Sequence, residues 1–217
     1  MPKGSAVQLD LRPFDDPEAS ESLRARYPRL MEYLGALPAG IHSYPECQSR
    51  AGLLGSVLAR ESRREAAPEP FVEALLRPAT TPWVPEVRFN AALLAIADAE
   101  SMSDAQHLRW ARATNGQLYH GLLYRALMAM FSPAVLLERA ASRWDSFHRG
   151  SRLEVTGTHA GEARAVLTFP ARLYTRLLLG GCGEAFAAAF EHSRGRDVTV
   201  ELLEATEISG LFRCRWR

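Results

Sequence analysis

Between Arg152 and Arg217 the hydrophobic period switches from two to about 3.6 and back to two, a pattern that leaves few folds open. Leu211-Phe-Arg-Cys-Arg-Trp-Arg217 alternates, so Phe212, Cys214 and Trp216 share one strand face while Arg213, Arg215 and Arg217 share the other. Three unpaired charges would be prohibitive in a core, so the aromatic face points inward and Trp216 is expected in the core with it. Asp197-Val-Thr-Val-Glu-Leu-Leu203 has the same period, and Ile208-Ser-Gly210 supplies the turn between the two strands. Upstream, Arg152 to Thr158 and Ala163 to Phe169 form a second alternating pair around His159-Ala-Gly-Glu162, stopped by Pro170. Between the hairpins, Leu173, Leu177, Leu178, Ala185, Phe186, Ala189 and Phe190 recur at helical spacing, with Gly195 as the C-cap. Strand, strand, helix, strand, strand predicts one antiparallel sheet with Leu173 to His192 packed on it, an α+β fold.

The preceding two-thirds reads as helical. Met1 to Ser22, proline-bearing and without period, is an arm that is flexible or laid on the body, and residues 23–217 form one domain. Its helical part is 23–150 and its sheet-containing part is 151–217. Pro28 breaks a weak helix over Leu23 to Leu34. Ser43-Tyr-Pro-Glu46 predicts a capped helix start running to Arg60. A short helix is expected over Phe71 to Leu76, a loop holding Trp83 over Pro78 to Pro85, and a helix over Pro85 to Ala99. Ser103 caps another helix, which Asn115-Gly116 interrupts before the apolar stripe Tyr119, Leu122, Leu123, Ala126, Leu127 and Met130. Ser132-Pro133 starts a helix carrying Trp144 to about His148.

Composition excludes several function classes. The chain has 217 residues, is 47% hydrophobic and 24% charged, and carries a net charge of +1, so no global field recruits nucleic acid or an acidic membrane. No signal-peptide pattern and no bilayer-length apolar run occur, and three widely spaced cysteines suit a reducing cytoplasm.

From Tyr119 onward, Arg125-Ala-Leu, Ser132-Pro-Ala-Val-Leu-Leu-Glu-Arg139, Phe147-His-Arg-Gly150 and the ending Arg213-Cys-Arg-Trp216 resemble a bacterial protein family expanded in the myxobacteria, with Ser43-Tyr-Pro45 as an upstream match. That family looks like a relative of the superfamily of haem-nitric-oxide-binding domains, 4-vinyl reductase sensor domains and transport-particle subunits. The resemblance implies the fold. In 4-vinyl reductase domains two cysteines of the final hairpin help bind metal; here Cys214 occupies one position, but Ala205 or Thr206 stands at the other.

The remaining chemistry is sparse. Cys182, within Gly180-Gly-Cys-Gly183, is expected to mark close helix packing, with a ligand-contacting thiol as the competing reading. No HExxH or CxxC occurs, and His107, His120, His148, His159 and His192 are expected at the surface or in caps. Asp145 and His148 are spaced as a solvated helical pair, and the arginine row is expected to be balanced by Glu201 and Glu154. With no catalytic residue, no metal ligand and no cofactor expected, the chain reads as a non-enzymatic cytosolic regulatory or adaptor protein, binding a protein partner or itself as a homodimer. The alternative is a sensor holding a small hydrophobic ligand between helices and sheet, against Tyr119, Leu123, Leu127, Trp144, Cys182 and Phe186.

Overall fold

The computed structural model describes residues 17–59, 69–118 and 129–217. Two short helices, α1 (Pro17–Arg26) and α2 (Pro28–Ala36), are parted at Tyr27 where Pro28 restarts the turn. After a 3-10 turn at Gly40–His42 come β1 (Gln48–Arg50), α3 (Ala51–Leu58), α4 (Pro70–Leu75), β2 (Trp83–Pro85), α5 (Glu86–Ala99) and α6 (Asp104–Leu118). Then follow α7 (Pro133–Ser142), a 3-10 turn at Trp144–Ser146, β3 (His148–Arg149), β4 (Arg152–His159), β5 (Glu162–Thr168), α8 (Arg176–Glu191), β6 (Thr199–Ala205) and β7 (Ser209–Arg215).

The two hairpins join in one antiparallel sheet of order β4-β5-β7-β6, as the alternation predicts. Ala163 pairs with Cys214 and Ala165 with Phe212, and all four are fully buried, with Leu153 and Leu167, on the sheet face that α7 and α8 cover. Phe186 of α8 meets Phe212 edge-on, ring centroids 5.5 Å apart. Gly180 sets how closely α8 approaches α6, because a Cβ there would stand 2.8 Å from Leu108. On the sheet side a Cβ at Gly183 would meet Phe212 and Val200 at an ordinary 3.6 Å. Gly180-Gly-Cys-Gly183 is thus a packing seam whose close contact is at Gly180. A continuous apolar core runs from Leu23 of α1 to Cys214 of β7.

On the outer sheet face the arginines are paired across strands. Arg213 bonds Glu201, and Arg215 lies 3.3 Å from Glu162 and 3.8 Å from Glu201. Glu154 pairs with Arg152 instead, so Glu162 takes the role assigned to it from sequence. Arg217, beyond the strand, pairs with Asp197.

Non-local pairing overrides several local signals. No helix starts at Ser43: its Oγ accepts from the Ala39 amide, and Gln48–Arg50 extends to bond two distant strands, so the helix begins only at Ala51. Ser103 does cap α6, in a reciprocal bond pair with Gln106, but Asn115-Gly116 lies within that helix without breaking it. Ser132 caps α7, accepting from the Val135 amide; α7 then ends at Ser142, and Trp144 and His148 lie outside any α-helix. Helix α8 starts at Arg176 under a Thr175 cap and ends at Glu191, short of Gly195. Trp216 is a further correction. It lies past β7 and is only partly buried, near Gly195 at the rim of the sheet. The helix expected over Leu118 to Phe131 falls mostly outside the described residues, as do Tyr119, His120, Leu123 and Leu127.

Candidate functional site

A second, three-stranded sheet of order β2-β1-β3 stands apart from the large one. Its residues alternate, so Ser49, Val84 and His148 face the interior while Gln48, Arg50, Trp83 and Arg149 face outward. Glu86 follows β2 directly as the first residue of α5, where the helix dipole favours an anion. It is 1% exposed. A buried carboxylate persists only with donors around it, and three converge here. The Ser49 hydroxyl donates to Oε2, the Tyr174 hydroxyl donates to Oε1 at 2.7 Å, and His148 Nδ1 lies 3.2 Å from Oε2. Burial pushes the Glu86 carboxyl up, but His148, Ser49 and Tyr174 together outweigh it and hold the group below the usual carboxylate value. One carboxylate thereby ties β1, α5, β3 and the turn before α8. A neighbouring node reinforces that turn: the Tyr33 hydroxyl and Asn90 Nδ2 both donate to the Leu173 carbonyl, each at 2.9 Å.

Serine, histidine and glutamate are the residue types of a hydrolytic relay, but their arrangement is not one. In a relay the imidazole uses opposite nitrogens for acid and nucleophile. Here Ser49 Oγ and Glu86 address the same Nδ1 of His148, at 3.3 and 3.2 Å, and Ser49 has no exposed surface. The thiols are not activated by their surroundings either. Burial pushes Cys47, Cys182 and Cys214 each up to about 12, and the Glu86 charge adds to this at Cys47 and Cys182. Among the described residues no group of three or more His, Cys, Asp or Glu could hold a metal ion.

His148 connects this buried centre to the surface. Its ring stacks on Trp144, and Trp144 Nε1 donates to Ser151 Oγ at 2.9 Å. Trp144 in turn lines a cleft of about 720 Å³ between the end of α7 and β4, together with Ser142, Asp145, Arg152, Leu153 and Val155. A contiguous path therefore runs from the cleft through Trp144 and His148 to Glu86 and Tyr174.

Of the residues singled out from sequence, Trp144 borders the cleft. Cys182 sits in the α8 seam and Phe186 in the closed contact with Phe212, so neither lines it. Asp145 and His148 are not a helical pair: Asp145 is exposed beside the cleft, and His148 turns inward. Glu86, Ser49 and Tyr174 carry no spacing signal, because Ser49 lies 37 positions before Glu86 and Tyr174 88 positions after it. His107 is also corrected. It is 1% exposed, and its Nδ1 has no hydrogen-bond partner among the described residues. Burial, with the Arg29 charge adding and Asp104 opposing, lowers the imidazole to about 4. The stripe His107, Ala111, Thr114, all buried at helical spacing, was the available clue.

No family model and no curated protein matches this chain, so the myxobacterial part of the resemblance finds no support. Solved structures do match. The Fe(II) unliganded H-NOX protein from K. algicida aligns at a TM-score of 0.54 and 10% identity, covering 77% of this chain and 96% of that one. An H-NOX structure from a study of haem distortion aligns at 0.53 and 11%, covering 77% and 95%. A Cs H-NOX mutant carrying 4-cyano-L-phenylalanine aligns at 0.50 and 11%, covering 77% and 96%.

A haem would need an axial imidazole, thiolate, thioether or phenolate facing an apolar cavity. The cleft lining contains none of these; His148 stands behind Trp144, and His107 is 1% exposed with its ring against Trp110. The described residues do not fit a haem. The likeness established is one of fold: this chain is built on an α+β plan similar to that of the H-NOX proteins.

Proposed function

We propose that this protein is a non-catalytic regulatory domain of sensor type, which takes a small, partly apolar molecule into the cleft between α7 and β4. The observation that carries the reading is the double contact of Trp144. The residue lines the cleft and also stacks on the histidine that meets the buried Glu86. The cleft volume of about 720 Å³ lies within the range of small-molecule sites. Ala141, Leu153 and Val155 offer apolar contact, while Ser142, Asp145, Arg152 and Glu154 offer polar partners at its edge. That lining suits an apolar body with one or two hydrogen-bonding groups. The H-NOX neighbours lend the sensor reading its support, and haem is not carried over because no described residue of the cleft lining is an axial donor. The proposed site is the cleft and not the space against Phe186, because that ring packs edge-on against Phe212. A ligand that binds one placement of Trp144 better than another shifts His148, hence the Tyr174 anchor of α8.

Native mass spectrometry of protein purified from its own host tests this. The expected result is a small-molecule adduct on the wild type that is lost in Val155→Trp, which fills the cleft. A wild type without adduct, or an adduct equal in both proteins, overturns the reading.

A further inference from the structure

We infer that the outer face of the small sheet, centred on Arg50, Trp83 and Arg149, is a docking surface for an acidic protein segment. Both guanidiniums lie over the one indole ring, 4.6 Å from its centre for Arg50 and 3.8 Å for Arg149. Two like charges are thus concentrated at one place, held by cation–π attraction from the strand-paired Trp83. Their remaining bonds are to neutral groups: Arg50 Nε donates to the Ser146 carbonyl, and Arg149 donates to Gln48 Oε1 at 3.4 Å. Among the described residues neither meets a carboxylate. The large sheet shows the contrast, since Arg152, Arg164, Arg213 and Arg215 each pair with a glutamate.

Beside this pair Phe147 is 50% exposed, and its carbonyl accepts from the Arg50 amide, so an apolar contact adjoins the two cations. Preorganised guanidiniums next to an exposed ring suit a peptide carrying two carboxylates and one apolar side chain. A nucleic acid is the poorer match. The indole is already covered by guanidiniums and cannot stack a base, and the chain as a whole carries a net charge of only +1. This surface is separate from the cleft, and its occupant does not depend on the sensor reading.

The test is fluorescence anisotropy of the full chain with a labelled peptide of about eight glutamates around one leucine, against single-stranded DNA of equal charge. Binding of the peptide should weaken about tenfold or more in Arg50→Gln/Arg149→Gln, weaken less in the Arg50→Lys/Arg149→Lys protein, and fall with added salt. Far-UV circular dichroism and the thermal midpoint establish that each variant folds. No peptide binding, equal binding by wild type and the glutamine variant, or preference for DNA would each overturn the proposal.

Discussion

Trp144 and His148 are stacked, ring centroids 4.4 Å apart and planes 17° from parallel, so the wall of the cleft and the partner of the buried carboxylate move as one unit. Truncating Trp144 should be felt on both sides. Trp144→Ala removes a nearly buried indole and leaves Ser151 Oγ without its donor, for an expected loss of about 3 kcal/mol. Trp144→Phe, which keeps a ring against His148, should cost less. Urea midpoints of the two variants check the order.

Glu86 makes stability depend on acid in a predictable direction. Its folded-state value lies below the ordinary 4.5, so the unfolded chain takes up the proton first as pH falls. The contribution is complete above about 4.5 and is lost as pH drops through the lower folded value. Glu86→Gln should lower stability at neutral pH, because Ser49, His148 and Tyr174 are arranged around a charge. It should also flatten the acid limb below 4.5 in chemical denaturation.

His107 acts in a higher window. Its folded value of about 4 lies below the unfolded 6.5, so the unfolded chain binds a proton the native state refuses. Stability present above 6.5 therefore drains away between 6.5 and about 4, by roughly 3 kcal/mol at 1.4 kcal/mol per unit. His107→Leu should remove that slope. A stability profile unchanged by the substitution over this range would exclude His107 as its source.

Glycine substitutions separate backbone need from packing. Gly150 has a φ of +75°, and a Cβ there would stand 2.9 Å from the Cys47 Cα, so Gly150→Ala should destabilise by more than about 2 kcal/mol. Gly183→Ala adds a methyl at ordinary contact with Phe212 and Val200 inside a helix, and should be neutral or stabilising by up to about 1 kcal/mol. Thermal melts of the pair distinguish the two effects.

What was legible in the sequence follows from range. The large sheet and α8 were readable because each strand's alternation and each cap are local: Phe212 and Cys214 face inward, and Ser132 and Ser103 do cap their helices. Trp216 shows where parity stops informing, since alternation continues for one residue past the strand, where the ring packs against the edge of the core and is only partly buried. The small sheet was not readable at all. Its strands are two or three residues long and pair across 33 to 37 and 99 to 101 positions, so the helix signal at Ser43 had no visible competitor. The candidate site inherits that difficulty. Trp144 could be named as aromatic and helix-adjacent, whereas Glu86 reads as an ordinary first-turn acid until Ser49, His148 and Tyr174 are brought to it.

Nitrogen-15 NMR of the His148 imidazole tests most directly whether the cleft speaks to the buried carboxylate. It should be recorded on protein as purified from its host and again after unfolding, extraction and refolding to empty the cleft. The account predicts that the His148 signals shift between the two preparations while those of the distant, enclosed His107 stay in place. Identical His148 signals in protein with and without its adduct would contradict it.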